Sequence, residues 1–212
     1  MKKISITQEQ MSAFIASCYT TAMKGVPGSK SCQQLADEYL IKYREPTLAA
    51  KALVNHQITN CAAVGFMSNL GGVITIPVGM PANIVSVLYM QMRMIGALAI
   101  IGGYNLADDE VKTVVLLCLI DASISDVFKK AGIKIGNKMA ENAIKKIPGS
   151  ILFKINKIVG MKLITKTGTG SAVRLTNMIP IAGGIVSAGI DYVATDKIAK
   201  RAYKTFILKK LD

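Results

Sequence analysis

The stretch from residue 52 to residue 92 constrains this chain more than any other. Its 41 residues include no Lys, Arg, Asp or Glu, and His56 is the one side chain there that can carry a charge. Such a stretch either crosses a membrane or forms the middle of a helical protein. A bilayer-spanning helix needs about 20 consecutive apolar residues. Gly71–Gly72, Pro77 and Pro81 break the stretch, which favours two helices joined by an apolar connection.

The second of these helices, from Pro81 to Ile101, contains Arg93 near its centre. A charge at that depth costs about 3 kcal/mol on membrane-insertion scales, so an integral membrane protein is only an alternative. A guanidinium stays charged when buried, and Arg93 is therefore predicted to meet a carboxylate or several carbonyl oxygens. Asp191 is the favoured carboxylate and Asp121 the other candidate. Pairing with Asp191 would place two glycine-rich helices side by side.

Apolar residues recur with a helical period along almost the whole chain. Thr7 and Gln10 match a capping box, Gly25 follows that helix, and Ser31 can cap the next one. No strand pattern is evident. The predicted fold is all-α: a compact multi-helix bundle with buried, glycine-rich apolar helices and amphipathic basic helices. It forms one domain of residues 1–212. Alternatively, the helices of residues 7–45 form a subdomain appended to it.

The charge is concentrated in the C-terminal half. Of the net +13, residues 121–212 contribute 17 Lys+Arg against 6 Asp+Glu. We predict one long helix from Asp121 to Ile147, whose apolar arc of about 80° is flanked by an equally wide lysine arc. A cationic flank beside an apolar stripe is typical of a helix lying on a membrane surface. The alternative is an ordinary solvated face of a core-packed helix.

The predicted surface for an anionic membrane consists of the basic side chains of this half: Lys129, Lys130, Lys134, Lys138, Lys145, Lys146, Lys197, Lys200, Arg201 and Lys204. Nucleic acid is the competing anion. Lysine greatly outnumbers arginine, aromatic residues make up only 6%, and no helix–turn–helix spacing is evident. These features favour diffuse attraction to phospholipid over base recognition.

No motif for catalysis or for metal binding stands out. The four cysteines are predicted to be buried, reduced thiols, and the single histidine a satisfied, partly buried side chain. The loop "TKTGTGS" fits neither phosphate-loop pattern. The sequence predicts no catalytic residue, no metal and no cofactor. An enzyme without a recognisable motif is the weaker alternative.

Two segments carry a family resemblance: "GGVITIPVGMPANIVSVLYMQMRMIGALAIIGGYN" (71–105) and "IPIAGGIVSAGIDYVATDKIAKRAY" (179–203). They resemble the EcsC family of bacterial proteins over roughly residues 65–208. The resemblance implies a helical bacterial protein that is often membrane-associated and has no established catalytic activity. It transfers no catalytic residues to this chain.

The expected function is therefore that of a non-enzymatic helical protein that binds anionic lipid surfaces, as a lipid-binding or membrane-remodelling factor. Its expected location is the bacterial cytoplasm, peripherally attached to the membrane. The alternative is a pore-forming, toxin-like protein in which residues 71–101 and 179–192 form a hidden hairpin that inserts on demand. A surface binder should expose an apolar patch beside its lysines, whereas a toxin-like protein should enclose both glycine-rich helices.

Overall fold

A computed structural model of the chain describes residues 6–63, 74, 80, 82–120, 122–133, 144–145, 147–167 and 184–211. For residues 60–63, 82–83, 165–167 and 184–191 it describes the backbone alone. The described residues form eight α-helices: α1 Gln8–Lys24, α2 Cys32–Tyr43, α3 Pro46–Ala63, α4 Ala82–Ile101, α5 Asp109–Cys118, α6 Ile124–Lys130, α7 Gly149–Thr167 and α8 Gly184–Ala202. A π-helical turn, Tyr203–Ile207, continues α8. The described part of the chain contains no β-strand, so the all-α prediction is confirmed.

The first two helices begin at the capping residues that the sequence predicts, Thr7 and Ser31. The Thr7 hydroxyl accepts a hydrogen bond from the Gln10 amide, and the Gln10 side chain accepts one from the Thr7 amide. Ser31 and Gln34 make the same reciprocal pair at the start of α2. Each pair satisfies two amide groups that a helix N-terminus otherwise leaves without partners. Gly25 ends α1 with a φ of 78°.

Helix α4 lies at the centre of the bundle. It packs against α1, α2, α3, α5 and α8, and against the π-helical turn. Its side chains are apolar on nearly all sides, and Tyr89, Met94 and Leu98 have almost no exposed surface. A helix that is apolar all round must be enclosed by other helices or by lipid. Here it is enclosed by the rest of the protein.

The N-terminal helices belong to the same core as α4. Phe14 of α1 and Leu35 of α2 are buried in one hydrophobic cluster with the α4 side chains. Helix α3 packs on α2, α4 and α8, while α7 packs on α1 and α5. This arrangement gives α7 one face toward the core and one toward solvent.

The predicted long helix from Asp121 to Ile147 is wrong, because the structure ends α6 at Lys130. Gly132 has a φ of 89°. The amide of Ile133 donates to the Phe128 carbonyl at 2.9 Å, and the Gly132 amide donates to the Lys129 carbonyl at 3.0 Å. This is a Schellman motif, which a glycine in the left-handed region allows. The predicted amphipathic arc therefore does not continue along one helix, and residues 134–143 lie outside the described part.

A second Schellman motif ends α4. The Tyr104 amide donates to the Ala99 carbonyl and the Gly103 amide to the Ile100 carbonyl, both at 2.9 Å. Gly103 supplies the left-handed conformation, with a φ of 82°. The chain turns here toward α5, and α4 ends at Ile101 as predicted.

Candidate functional site

The solvent-facing side of α7 exposes large apolar side chains among lysines. Phe153 is 73% exposed and Met161 is 47% exposed. Lys154 and Lys157 are also exposed. At 100° per residue, these four side chains share an arc of about 100°. We call this set the α7 face.

The opposite side of α7 attaches the helix to the core. Leu152, Ile155, Val159 and Leu163 are buried. Their spacing of three and four residues puts them on one side of a helix. The Thr113 hydroxyl donates to the Asn156 side chain at 3.3 Å, which adds a polar contact between α5 and α7. The α7 face is thus held outward by an apolar seam on its reverse side.

Helix α7 carries only positive charge. Its sequence contains Lys154, Lys157, Lys162 and Lys166 but no Asp or Glu. Six lysines of the predicted membrane-binding surface precede α7 in the chain. Lys129, Lys130 and Lys145 are exposed, whereas Lys134, Lys138 and Lys146 lie outside the described residues. Lys129 lies 3.9 Å from Asp126 in an exposed pair, a contact that contributes little.

The remaining basic side chains of the predicted surface lie on α8 and the π-helical turn, and they make different contacts. Lys197 and Lys204 are exposed. The Lys200 ammonium lies 2.8 Å from the Asp196 carboxylate, and this hydrogen bond raises the pKa of Lys200. Arg201 is half-buried. Its guanidinium donates to the carbonyl of Cys118 at 3.1 Å and to that of Ile120.

The contacts of Arg201 give it a structural role. Cys118 is the last residue of α5, where helix carbonyls lack partners within the helix. A cation at that end also interacts favourably with the helix dipole. Arg201 therefore joins α8 to the C-terminus of α5.

Arg93 is buried, with 8% of its surface exposed. Its guanidinium donates to the Lys30 carbonyl at 3.4 Å, to the Gln57 side chain at 3.4 Å and to the Ser29 hydroxyl. Arg93 therefore meets two carbonyl oxygens, one of the Lys30 backbone and one of the Gln57 amide, out of the predicted choice between a carboxylate and several carbonyl oxygens. These partners are neutral. The Asp191 side chain and Asp121 lie outside the described part, so the predicted carboxylate partner stays a prediction.

The two glycine-rich helices do lie side by side, through a different pair of residues. The Gln91 amide donates to the Thr195 hydroxyl at 3.0 Å, and both side chains are buried. Gln91 and Arg93 are about 160° apart around α4, on nearly opposite sides of the helix. Helix α8 therefore packs on the Gln91 side, whereas Arg93 is turned toward the α1–α2 loop and α3.

A match to a protein-family model extends over residues 2–211 and is described as the EcsC protein family. The chain belongs to the EcsC protein family. The match is longer than the region of residues 65–208 that carries the resemblance, and it includes the N-terminal helices. No curated protein and no solved structure is significantly similar to the chain.

The described side chains of this EcsC protein form no metal centre. No group of three or more His, Cys, Asp or Glu in the described part is placed to hold a metal ion. Cys18, Cys32 and Cys118 are buried, reduced thiols, as predicted, whereas the Cys61 side chain lies outside the described part. Burial raises the pKa of Cys18 and of Cys32 to about 12, so both remain protonated and unreactive at neutral pH.

Sequence reasoning missed the α7 face as a surface. The signal was present, since Phe153, Lys157 and Met161 are spaced four residues apart and lie on one side of a helix. The composition of α7 alone does not separate its inner apolar residues from its outer ones. Only the packing of α7 on α1 and α5 selects which apolar side chains remain exposed.

Proposed function

We propose that this EcsC family member is a non-enzymatic protein that binds anionic phospholipid surfaces peripherally, from the bacterial cytoplasm, through the α7 face. The carrying observation is the exposure of Phe153 and Met161 beside Lys154 and Lys157. Apolar side chains flanked by lysines are the composition that an interfacial helix presents to a bilayer. The absence of acidic residues from α7 makes its charge complementary to an anionic leaflet.

The expected energies suit reversible binding. A Phe or Met side chain that moves from water into an apolar environment gains about 1.5–3 kcal/mol. A lysine near an anionic leaflet contributes about 1 kcal/mol. The four side chains together supply several kcal/mol before the cost of association is subtracted. Other exposed lysines, including Lys129 and Lys130, add long-range attraction.

The inner seam of α7 supports binding without unfolding. Leu152, Ile155 and Val159 hold the helix on the core while Phe153 points outward. The axis of α7 would then lie in the membrane plane, with Phe153 and Met161 inserted and the lysine ammonium groups at the headgroup level.

The test is flotation with vesicles that contain phosphatidylglycerol. Lys154→Gln/Lys157→Gln should weaken binding by about 30-fold, the equivalent of two lysine contributions. Lys24→Gln/Lys210→Gln removes the same charge from exposed lysines elsewhere and serves as the matched control. Raised salt should mimic the α7 change, because screening shortens the range of the attraction. Equal binding by the two double variants would remove the α7 face from the proposal.

The apolar part of the surface needs its own variant. Phe153→Ser/Met161→Ser keeps every charge and should also weaken vesicle binding, with little effect on the urea midpoint because both side chains are exposed. Lys129→Gln/Lys130→Gln measures what α6 contributes. If the Phe153/Met161 variant floats with the vesicles as the wild type does, the apolar side chains do not contribute, and the binding is electrostatic alone.

A pore-forming, toxin-like protein is the second candidate, favoured by one property of α4. Residues Ile84–Ile101 are long and apolar enough to cross a membrane, and 83% of this stretch is buried. A core helix of a water-soluble protein meets the same criterion. Release of a dye from the vesicles on protein addition would support the pore former. Binding without release would support the surface binder.

A further inference from the structure

A cleft of about 270 Å³ opens between α2 and α3, away from the α7 residues. Its lining residues are Glu38, Tyr39, Lys42, Tyr43, Ala52 and His56. Drug-sized ligands use pockets from about 300 Å³ upward, so this cleft suits a smaller ligand or one chemical group of a larger one.

Aromatic rings form one wall of the cleft. The Tyr39 and Tyr43 rings are nearly parallel, at 12°, with centroids 6.1 Å apart. The Tyr39 hydroxyl lies 2.6 Å from Nδ1 of His56 and fixes the orientation of the imidazole across the cleft. His56 has the hydrogen-bond partner that the sequence analysis expects, but the residue is exposed rather than partly buried. Burial, and then the Glu38 carboxylate, raise the pKa of Tyr39, which keeps its hydroxyl neutral.

The cleft already holds a cation against an aromatic face. The Lys42 ammonium lies 5.5 Å from the centroid of the Tyr43 ring. This distance is within the range at which a ring attracts a cation. Lysine has a long flexible stem, so its ammonium can leave the ring and meet an anion nearby.

A carboxylate at the rim supplies the opposite charge. Glu38 lies 2.7 Å from Lys30, and both side chains are about half exposed. Such surface pairs are weak, so a ligand ammonium can compete for the carboxylate. The cleft thus combines an aromatic face and a carboxylate for a cation with a lysine for an anion.

Apolar side chains stand near the cleft. Leu48, Ala52 and His56 are spaced by four residues and lie on one stripe of α3. Leu48 is 51% exposed. An exposed aliphatic side chain beside a polar cleft fits a ligand that is presented at an apolar surface.

We propose that the α2–α3 cleft binds the headgroup of a zwitterionic phospholipid, with choline or ethanolamine joined to phosphate. The ligand ammonium lies over the Tyr43 ring beside Glu38, in the place that the Lys42 ammonium occupies. Lys42 turns to the phosphate, with His56 beside it. Leu48 contacts the acyl-chain side of the headgroup. This site extends the proposed function to a specific lipid contact and does not depend on the α7 face.

The single histidine of the chain makes the test direct, because its imidazole signals in an NMR spectrum need no assignment. Phosphocholine and phosphoethanolamine are titrated into the full chain, with choline and inorganic phosphate as separate probes. A saturable shift of the His56 signals is expected from the zwitterions, at a concentration at least tenfold below that needed for either half. Tyr43→Ala and Glu38→Gln should each weaken the response about tenfold. Tyr192→Ala, at an exposed tyrosine outside the cleft, should leave it unchanged.

Three results would overturn the proposal. One is the absence of a saturable shift of the His56 signals with either zwitterion. Another is an equal response in wild type and Tyr43→Ala, with the remaining spectrum showing that the variant is folded. The third concerns the source of the headgroup: neutral phosphatidylcholine vesicles should compete with soluble phosphocholine, and failure to compete would assign the cleft to a soluble metabolite. These experiments use soluble probes and neutral vesicles, so they do not measure binding of the α7 face to anionic vesicles. The two proposals can therefore fail independently of each other.

Discussion

Gly102 shows how one residue joins the C-terminal segment to the central helix. A Cβ added at Gly102 would overlap the carbonyl oxygen of Phe206 and lie 3.0 Å from its carbonyl carbon. The backbone of the π-helical turn therefore approaches the end of α4 more closely than any side chain allows. Phe206 also meets the Tyr104 ring edge-on, at 5.2 Å between centroids. The Lys209 ammonium lies 4.0 Å from the centroid of that Tyr104 ring.

Gly102→Ala is expected to destabilise the protein by about 1–3 kcal/mol, because backbone atoms must move apart. Gly160→Ala is the matched control in α7. A Cβ there meets nothing within 4 Å. Replacing a glycine inside a helix by alanine should stabilise the protein by about 0.5–1 kcal/mol. Urea unfolding of both variants measures the difference. Equal shifts in the same direction would contradict the close approach.

The buried guanidinium of Arg93 illustrates what a single residue type implies. Its charge and length require polar partners in the core, and Lys30 supplies a carbonyl oxygen. The choice of Ser29 and Gln57 as further partners depends on the α1–α2 loop and on α3, which are 64 and 36 residues away in the chain. Local sequence around Arg93 contains no information about them.

At the scale of elements, the pairing of α4 with α8 depends on a polar contact in an apolar surface. Gln91 is 2% exposed and Thr195 is 0% exposed. Removal of one partner leaves the other buried without its hydrogen bond. The contact therefore fixes how the two glycine-rich helices are aligned.

Thr195→Val is expected to cost about 1–3 kcal/mol, because the Gln91 amide keeps its burial and loses its acceptor. Gln91→Leu/Thr195→Val should cost less than the sum of the single changes, since both polar groups are then absent. Thermal or urea unfolding of the three variants gives the coupling energy. Additive effects would show that the hydrogen bond contributes nothing to helix pairing.

For the whole molecule, the main feature is the enclosure of α4. Five helices and the π-helical turn pack around it. In contrast, α6 has seven residues and its main helix contact is with α5. Local opening is easiest where few buried contacts must be broken.

Amide hydrogen exchange should therefore protect α4 to nearly the level of global unfolding, whereas α6 should exchange faster through local opening. Mass spectrometry of peptides from the two helices measures this order. Comparable, rapid exchange in α4 and α6 would indicate that the apolar helix opens on its own, which is the behaviour that a conditional pore former requires.

The sequence by itself determined the helical class, the helix caps at Thr7 and Ser31, and the end of α4 at Ile101. These features follow from interactions within a few residues, so local patterns are sufficient to predict them. It also determined the family. The burial of the apolar central helix follows from the sequence as well, because an apolar stretch of that length has no favourable position in water.

Tertiary structure alone decided which apolar and basic side chains face solvent. Phe153 and Leu152 are neighbours of similar apolar character, yet one is exposed and the other buried because α1 and α5 cover only one side of α7. Arg201 and Lys197 belong to one basic stripe, and only Arg201 reaches the end of α5. The cleft joins Tyr39 to His56 across two helices. Burial and pairing of this kind depend on contacts between distant segments, which no local pattern encodes.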